Sequence, residues 1–312
     1  MKAIRIHSYG DSSVLKYEDA TVREIGPDEL LIKVKASGVN PVDVKARKGY
    51  LKDSGLFSAP FIPGWDVSGV VEKTGSLVTR FKPGDRVFSY PGFSGQGTYA
   101  EYTVAGSSTA ALVPKNIPFE NSAGVPVTGL TAWMALFDFG NLKEGQTVLI
   151  HAAAGGVGLF AVQLAKLVGA KVIGTASPKN FDLLKSLGVD ELIDYHKEDF
   201  TAKVKNVDLV ADFVGGETRE KSFGVLKKGG IMASIVGRLD PAEAEKHGVI
   251  GRSGMVNPNG ARLQEIAGLI DAGKIKVFIE KIFPLADAKS AHESIETGHT
   301  VGKLVLLADS SL

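Results

Sequence analysis

The stretch TVLIHAAAGGVGLFAVQLAKLVGAKVIGTASPK, residues 147–179, decides the fold. Its first residues, Thr147 to Ala152, form a short apolar run that predicts a buried strand, and a loop of small residues follows. Leu159 to Val168 is apolar nearly all round, as expected of a helix packed on a sheet, and Gly169 ends it. Lys171 to Ala176 predicts a second strand. The order strand, glycine loop, helix, strand predicts a dinucleotide-binding unit.

The loop between the first strand and the helix has little side-chain bulk, so its backbone can approach a diphosphate closely. Gly155 permits that approach and Gly158 lets the helix pack against the strand, while free N–H groups and the helix dipole face the phosphates. The first glycine of the G-x-G-x-x-G pattern is Ala153 here. A plain turn is the alternative interpretation. The loop residues predicted to bind the cofactor are Ala154, Gly155, Gly156, Val157 and Gly158.

The end of the second strand indicates which dinucleotide binds. A site that prefers NAD(H) places Asp or Glu about 20 residues past the loop, where it accepts a hydrogen bond from the ribose 2′-hydroxyl. This chain has Ser177, Pro178 and Lys179 there, and a hydroxyl, a helix N-terminus and an ammonium can bind a 2′-phosphate. Ser177 and Lys179 are therefore predicted to bind NADP(H). Alternatively, Ser177 is the N-cap of the next helix, with Pro178 in its first position, and both interpretations can hold at once.

Length and composition are those of a globular protein with about two domains. The chain has 312 residues, 44% of them hydrophobic and 23% charged, and a formal net charge of +1. This charge indicates no broad basic surface, so neither nucleic acid nor a membrane is expected as a partner. The sequence contains no cysteine, which excludes disulfides and cysteine-ligated metals. The N-terminus, MKAIRIHSYG, has no apolar core of signal-peptide length, so a cytoplasmic location is expected.

Residues 1 to about 120 differ in composition and residue pattern from the middle of the chain. Met1 to Ile6 and Glu29 to Ala36 alternate apolar and polar residues, and Gly and Pro interrupt the whole region, which predicts short strands in a β-rich, partly barrel-like domain. Two segments of this region could reach a ligand, Gly38 to Tyr50 and Phe61 to Gly69.

From Thr147 to about Val256 the pattern alternates between strand and helix, which predicts a doubly wound parallel sheet in an α/β fold. Strand ends of such a sheet line the ligand crevice, so Val214, Gly215 and Gly237 are predicted to lie beside the cofactor. Plain turn glycines are the alternative. Residues 120–146, which precede this region, predict one helix that crosses between the domains.

Motifs along the chain resemble those of the medium-chain dehydrogenases/reductases, specifically the zinc-free branch of quinone oxidoreductases and enone (alkenal) reductases. They are MKA at residues 1–3, FKPGDRV at 81–87, AAAGGVG at 152–158 and GKLV at 302–305, so the similarity covers essentially the whole chain.

The resemblance implies an α/β fold with a doubly wound parallel Rossmann sheet and a β-rich, GroES-like catalytic domain. Residues 123–257 would form the dinucleotide-binding domain, and residues 1–122 and 258–312 the catalytic domain. Members of this family are commonly homodimers, so a dimer joined through an edge of the nucleotide-domain sheet is expected.

The resemblance also argues against a catalytic metal. In the zinc alcohol dehydrogenases of the family, a Cys and a Gly-His-Glu motif carry zinc ligands. This chain has Asn40 in place of the Cys and Gly64-Trp65-Asp66 in place of the motif, and it lacks the four-cysteine lobe. Because Asn and Trp replace two ligands, no catalytic zinc is expected.

The family chemistry implied is hydride transfer from NADPH to a small-molecule substrate, a quinone or the β-carbon of an α,β-unsaturated carbonyl. Hydrogen-bond donors can stabilise the negative charge that develops on the substrate oxygen. An NADPH-binding structural or sensor protein with little turnover is the competing hypothesis. The residues expected to act in catalysis are Asn40, Lys45, Tyr50 and Thr128.

Several of these assignments have a structural alternative. Lys45 could be a surface lysine of a helix, protonation could come from water, and Asp43 could either orient Lys45 or cap the local turn. Thr128 with Gly129 could be a pair of small residues that permits close helix contact.

Two further residues are expected to contact the cofactor in this family layout. Tyr195 follows a strand near the adenosine end, where a surface tyrosine is the alternative. Lys303 could approach the cofactor or be a solvated charge at the start of a strand. His151, at the end of the first strand of the nucleotide domain, is interpreted as a packed core residue.

Overall fold

The computed structural model describes residues 1–93 and 96–308. It divides into two compact units: unit 1 is Met1–Leu130 with Asn257–Leu312, and unit 2 is Thr131–Val256. The described strands, β1 to β15 in chain order, are Lys2–Ile6, Leu15–Asp19, Glu29–Val39, Val67–Thr74, Arg86–Ser89, Tyr102–Gly106, Ala110–Leu112, Thr147–Ile150, Lys171–Ala176, Glu191–Asp194, Val207–Asp212, Leu226–Ser234, Ile250–Ser253, Ile279–Pro284 and Lys303–Leu307. The described α-helices, α1 to α10, are Pro41–Arg47, Phe119–Ala123, Pro126–Trp133, Gly156–Leu167, Phe181–Ser186, Phe200–Lys203, Gly216–Ser222, Pro241–Lys246, Gly260–Asp271 and Ala288–Glu296.

Unit 2 is built on one six-stranded parallel sheet in the order β10-β9-β8-β11-β12-β13. The strand order reverses between β8 and β11, and ligands of doubly wound sheets bind at the carboxyl ends of the strands beside such a reversal. The loop after β8 and the turn after β11 both lie at this point. The predicted parallel Rossmann sheet is confirmed.

The sheet of unit 2 forms because its strands are apolar on both faces. Val148, Leu149 and Ile150 of β8 are all fully buried, as expected of a strand covered by helices on both sides. Leu149 belongs to an apolar core shared with Ile173 of β9 and Val210 of β11. This packing fixes the ends of the strands and therefore the loops that follow them.

Unit 1 is the β-rich part of the chain. A path of hydrogen-bonded strands runs β14-β15-β3-β4-β5-β7, with β6 also paired to β3, and β1 and β2 form a separate antiparallel pair. The eleven-residue strand β3 carries the most pairings, to β4, β6 and β15. The last two strands come from the end of the chain, and β15 lies directly beside β3. The prediction of a β-rich, GroES-like domain is confirmed.

The prediction of one helix over residues 120–146 is wrong. The chain forms α2, then α3, then a π-helical segment, Met134–Phe139. The break between α2 and α3 falls at Gly124 and Val125, and Pro126 opens α3, where proline is favoured because the first helical N–H needs no partner. No helix of the described residues has the length and apolarity to cross a membrane.

Helix α1 of unit 1 is held at both ends by buried side chains. At its start, the Asp43 carboxylate accepts the Asn40 N–H at 2.6 Å and the Tyr99 hydroxyl at 2.9 Å. At its end, the fully buried Arg47 donates to Glu296 of α10 at 2.9 Å, and its Nη1 lies 3.3 Å from His292 Nδ1. These contacts fix the helix that begins at a predicted catalytic residue.

The histidine in this arrangement is neutral. Because a guanidinium only donates, His292 Nδ1 must accept and its proton must sit on Nε2, which is sealed from solvent without a partner. Burial, together with the charge of Arg47, lowers the pKa of His292 to about 3.

We therefore expect His292→Gln to reduce the acid sensitivity of the fold. Below the unfolded-state pKa of about 6.5, the unfolded chain takes up a proton at this histidine that the folded chain refuses, so the wild type loses stability as pH falls. Glutamine keeps an acceptor for Arg47 and does not titrate. Between neutral pH and about pH 4.5, the wild type should lose about 2–3 kcal/mol more unfolding free energy than the variant, measured by urea denaturation. An equal loss in both proteins would contradict this.

Candidate active site

The glycine loop follows β8 in unit 2 and leads directly into α4. Ala152 has a φ of +50°, in the left-handed region, and this turns the chain after the strand. Gly155 is the N-cap of α4, and the helix begins at Gly156. A Cβ on Gly158 would lie 2.7 Å from the carbonyl carbon of Ala153 and closer still to the Ala152 carbonyl oxygen. The close contact that the sequence predicts between helix and strand is therefore made between the helix and the loop.

Ala153, which replaces the first glycine of the dinucleotide pattern, is accommodated by a glycine in the neighbouring strand. Ala153 is fully buried, and its N–H donates to the Thr175 carbonyl oxygen of β9 at 3.1 Å. A Cβ on Gly174 would lie only 3.1 Å from the Ala153 Cβ. The side chain missing from β9 thus leaves room for the methyl group of the loop.

The first turn of α4 presents backbone donors that the protein does not use. Among residues 1–93 and 96–308, no acceptor receives the N–H groups of Gly156, Val157 or Gly158, and no side chain caps the helix. Gly156 and Val157 are half-buried, whereas Ala154 and Gly158 are buried. Three N–H groups at the positive end of a helix dipole form a site for an anion.

The open side of Gly155 fits the same ligand. Its φ of −73° is available to any residue, and a Cβ there would meet only the Ala152 carbonyl oxygen, at 3.3 Å. The protein's own packing therefore gives little reason for a glycine at this position, whereas the close approach of a diphosphate gives one. The residues present fit a dinucleotide.

Ser177 and Lys179 follow β9 with their side-chain polar atoms unused. Ser177 is the N-cap of a 3₁₀ turn, Pro178–Asn180, so the capping position predicted for it is confirmed, but its side chain makes no capping hydrogen bond. Lys179 is exposed and has no ionic or hydrogen-bonding partner among the described residues. Both groups can bind an anion without giving up an internal contact.

Tyr195 lies beside this pair of residues. The parallel register pairs Ala176 of β9 with Asp194 of β10, so Ser177 and Tyr195 are the next residues on two adjacent strands. Tyr195 is 50% exposed, and its ring centroid lies 4.1 Å from that of His196. Its exposure fits the surface-tyrosine alternative, and its contact with a cofactor stays a prediction. His196 was not predicted, because a lone histidine after a strand forms no pattern.

Asp212 ends β11 and fixes the turn that holds Val214 and Gly215. Its Oδ1 accepts their N–H groups at 3.1 and 2.7 Å, and its Oδ2 accepts the Ser234 hydroxyl of β12 at 2.7 Å. Gly215 has a φ of +78° and Gly237 a φ of +69°, so the backbone alone favours glycine at both positions. The turn-glycine alternative thus accounts for the residue type, and contact with a cofactor stays a prediction.

His151 is a packed residue, as interpreted from the sequence. It is 1% exposed, and its ring nitrogens lie 3.2 Å from Thr175 Oγ1 and 2.9 Å from Ser222 Oγ. Burial lowers the pKa of His151 to about 4. The ring is therefore neutral and engaged on both sides.

In unit 1, the side chains of Asn40, Asp66 and Lys303 form a buried polar network. The Lys303 ammonium donates to the Val39 carbonyl oxygen at 2.8 Å, to Asn40 Oδ1 at 2.6 Å and to Asp66 Oδ2 at 3.2 Å. Asp66 also accepts from Asn40 Nδ2 at 2.8 Å and from the Val127 N–H at 2.7 Å. Lys303 is only 4% exposed, so the alternative of a solvated lysine is wrong. Its contact with a cofactor stays a prediction.

This network fixes the orientation of the Asn40 amide. An ammonium only donates and a carboxylate only accepts, so Oδ1 must face Lys303 and Nδ2 must face Asp66. One N–H of Nδ2 is used by Asp66, and the second has no acceptor in the described part of the chain. Asn40 is 2% exposed and held by two charged groups, which makes it a preorganised donor.

Lys45 lies in α1 and Tyr50 lies three residues after this helix, and both are on the surface. Lys45 is exposed on the helix surface, and Tyr50 is 74% exposed. Asp43 is engaged by Asn40 and Tyr99, so of its two alternatives the capping role is confirmed. Any chemistry by Lys45 or Tyr50 stays a prediction.

Thr128 uses its hydroxyl inside its own helical turn. Its Oγ1 donates to the Gly124 carbonyl oxygen at 2.6 Å. A Cβ on the adjacent Gly129 would lie 3.3 Å from Ile266 Cδ1. The alternative of small residues that permit close helix contact therefore fits this pair.

Trp65, which stands where zinc relatives have a histidine ligand, is part of an aromatic cluster with Phe57, Tyr90 and Phe93. Trp65 is 2% exposed, and its ring centroid lies 5.2 Å from those of both Phe57 and Phe93. Tyr90 contacts Phe93 with 5.9 Å between centroids. The cluster was not predicted, because its members come from three separate segments.

Known proteins resemble the chain over nearly its whole length. The model of the alcohol dehydrogenase GroES-like domain matches residues 26–115, and the model described as zinc-binding dehydrogenase matches residues 187–306. The chloroplastic NADPH-dependent alkenal/one oxidoreductase of Arabidopsis thaliana is 38% identical over 98% of this chain and 79% of its own length. The chain belongs to the medium-chain dehydrogenase/reductase family.

Solved members of this family place the chain in its branch of quinone oxidoreductases and alkenal reductases. The quinone oxidoreductase of Coxiella burnetii has 37% identity and a TM-score of 0.92 over 99% of both chains. The Escherichia coli quinone oxidoreductase, solved with NADPH, has 31% identity and a TM-score of 0.89 over 98% of this chain and 100% of its own. Although one matching family model is described as zinc-binding, the described residues here contain no group of three His, Asp or Glu that could hold a metal ion.

For this member of the family, we expect Gly158→Ala to destabilise the fold and to weaken dinucleotide binding. The new Cβ must displace the loop backbone, a strain of about 1–3 kcal/mol. Gly268→Ala is a matched control, since it also lies in a twelve-residue helix, α9, but a Cβ there meets nothing within 4 Å. The control should gain about 0.5–1 kcal/mol, because alanine favours helix. Urea denaturation compares the two variants, and equal effects would refute the packing assigned to Gly158.

Proposed function

We propose that this protein is an NADPH-dependent reductase that delivers hydride to a quinone or to the β-carbon of an α,β-unsaturated carbonyl. The observation that carries the proposal is the 38% identity, over 98% of the chain, to an NADPH-dependent alkenal/one oxidoreductase. The free donors at the start of α4 and the buried donor network around Asn40 support it.

In this proposal, residues of unit 2 hold NADP(H). The N–H groups of residues 156–158, with the adjoining backbone of Ala154 and Gly155, would bind the diphosphate. Ser177, Lys179 and Tyr195 would bind the 2′-phosphate, because they offer a hydroxyl, an ammonium and a phenol. Val214, Gly215 and Gly237 would line the same ends of the strands. When bound, NADPH supplies a hydride.

The protein's task in the reduction is to stabilise charge on the acceptor's oxygen. As hydride reaches carbon, negative charge develops on the oxygen of the quinone or enone, and a fixed hydrogen-bond donor there lowers the barrier. We assign this role to Asn40, whose second amide N–H is unused. Lys45 and Tyr50 are exposed candidates for supplying the proton that completes the reduction, with water as the alternative. Both electrons arrive with the hydride, so no further reductant is required.

The direct test mixes the protein with NADPH and a panel of 1,4-quinones, 2-alkenals and cyclic enones. The absorbance of the reduced nicotinamide should fall with at least one class of acceptor. Tight NADPH binding with no acceptor reduced across the panel would refute the reductase and support the NADPH-binding sensor.

We expect Lys179→Ala to weaken NADPH binding about tenfold or more and to leave NADH binding nearly unchanged. A hydrogen bond to a charged phosphate contributes about 1.5–3 kcal/mol, and NADH lacks the 2′-phosphate. Lys185→Ala, which removes another exposed lysine from the helix that follows, is the control. Fluorescence titrations with NADPH and with NADH measure the affinity of each protein for both cofactors. Equal losses for NADPH and NADH would remove Lys179 from the site.

We further propose a homodimer formed through β13. This strand is an edge of the unit 2 sheet and pairs only with β12 among the described strands. Ile250 on this strand is 45% exposed, and an unpaired edge with an exposed apolar residue is a template for another strand. Antiparallel pairing with the same strand of a second copy would satisfy the free edge with two-fold symmetry.

Ile250→Glu should therefore weaken self-association by about tenfold or more, because the substitution places a charge at an apolar position of the paired edge. Ile282→Glu is the control, since Ile282 is 44% exposed on β14, an edge strand of unit 1. Light scattering after size-exclusion chromatography measures the mass of each protein. A monomeric wild type, or the same effect in both variants, would contradict the assigned interface.

A further inference from the structure

Tyr90 lies at the end of β5, directly across from the network that holds Asn40. The antiparallel register pairs Val67 of β4 with Ser89 of β5, so Asp66 and Tyr90 are the next residues beyond this pair. Opposite residues of an antiparallel pair project to the same face. The Tyr90 side chain therefore shares a face with the carboxylate that binds Asn40 and Lys303.

The Tyr90 hydroxyl has no partner, although the residue is 2% exposed. Neither a side chain nor a backbone group of the described residues hydrogen-bonds to it. Tyr99, which is also buried, donates to Asp43 at 2.9 Å. A buried phenol normally finds a partner, since leaving one unsatisfied is unfavourable.

This hydroxyl also keeps an opening to solvent. Six side-chain atoms of the described residues are both sealed from solvent and unpartnered, and the Tyr90 oxygen is not among them. Burial raises the pKa of Tyr90, and the charges of Asp66 and Asp43 raise it further. The group is a neutral O–H donor at physiological pH.

The ring of Tyr90 belongs to an aromatic cluster. Phe93, half-buried, packs edge-on against Tyr90 and also against Trp65, with centroid distances of 5.9 and 5.2 Å. Phe57 completes the cluster at 5.4 Å from Phe93. A single free donor at the border of an aromatic cluster suits a planar conjugated ligand that carries an oxygen acceptor.

We propose that the Tyr90 hydroxyl donates a hydrogen bond to the oxygen of the acceptor substrate, with the aromatic cluster contacting its conjugated plane. This inference rests on the proposed function, and it adds a second donor to Asn40 and favours ring quinones over short aliphatic enals. The sequence offered no pattern for it, because only the pairing of β4 with β5 brings Tyr90 to Asp66.

The test is Tyr90→Phe, which removes only the oxygen. The value of kcat/KM for 1,4-naphthoquinone should fall roughly 10- to 100-fold, chiefly in kcat, because the bond strengthens as charge develops on the acceptor. The melting temperature should stay unchanged or rise, since an unpaired hydroxyl is lost. Tyr99→Phe, which loses a real hydrogen bond, should lower the melting temperature. Undiminished turnover in Tyr90→Phe, or a melting temperature lowered as in Tyr99→Phe, would overturn the proposal.

A binding measurement separates this inference from the proposed function. Quenching of tryptophan fluorescence reports the affinity for 1,4-naphthoquinone and for naphthalene, which lacks the oxygens. Tyr90→Phe should weaken quinone binding severalfold and leave naphthalene binding unchanged, even if the wild type reduces nothing. Equal quinone affinity in the two proteins would overturn the role of Tyr90, whatever the turnover.

Discussion

The carboxylate of Asp66 is the group on which the rest of unit 1 depends. It is fully buried, and it receives hydrogen bonds from Asn40 at the start of α1, from the Val127 N–H in α3 and from Lys303 at the start of β15. A buried charge is tolerated only when its partners are all present, and removal of one partner of a buried ion pair typically costs about 3–5 kcal/mol. The network therefore ties together three segments that are distant in sequence. In this chain, the cation that neutralises the buried carboxylate is the ammonium of Lys303.

The same constraint explains why α1 can present functional groups although it is short. A seven-residue helix has little stability of its own, so its geometry has to come from tertiary contacts. Asp43 and Tyr99 fix its first turn, and Arg47, His292 and Glu296 fix its last. Burial raises the pKa of Asp43 to about 7, so this cap gains a proton on acidification earlier than the unfolded chain does. That contribution to the acid stability of unit 1 opposes the loss at His292.

Local sequence patterns predicted the helices and strands well. They did not predict the contacts between segments that are distant in sequence. The strand Lys171–Ala176 has the bounds that the sequence predicted, because Gly169 precedes this short apolar run and Pro178 follows it. Helix α4 begins at Gly156, three residues before the predicted Leu159, because glycines in a helical first turn carry no apolar periodicity. The partners of Lys303 lie 237 to 264 residues away. Sequence periodicity carries no information about contacts over such a separation. A solvated lysine at the start of a strand and a buried lysine therefore look alike in the sequence.

Hydrogen-bond donors with a protein partner stabilise the structure, whereas donors without one are available to a ligand. In unit 1, the polar atoms of Asp66 and Lys303 are all matched, and their role is to hold Asn40. Several described donors at the proposed sites have no protein partner: the N–H groups that open α4 and the side chains of Ser177 and Lys179 in unit 2, and the Tyr90 hydroxyl and one amide N–H of Asn40 in unit 1. An unsatisfied donor weakens a fold by about 1–3 kcal/mol when it is buried, so one that retains access to solvent is tolerated at low cost and is ready for a ligand. On this reasoning, we propose that the unmatched donors, rather than the most perturbed titrating groups, bind the substrate and the cofactor.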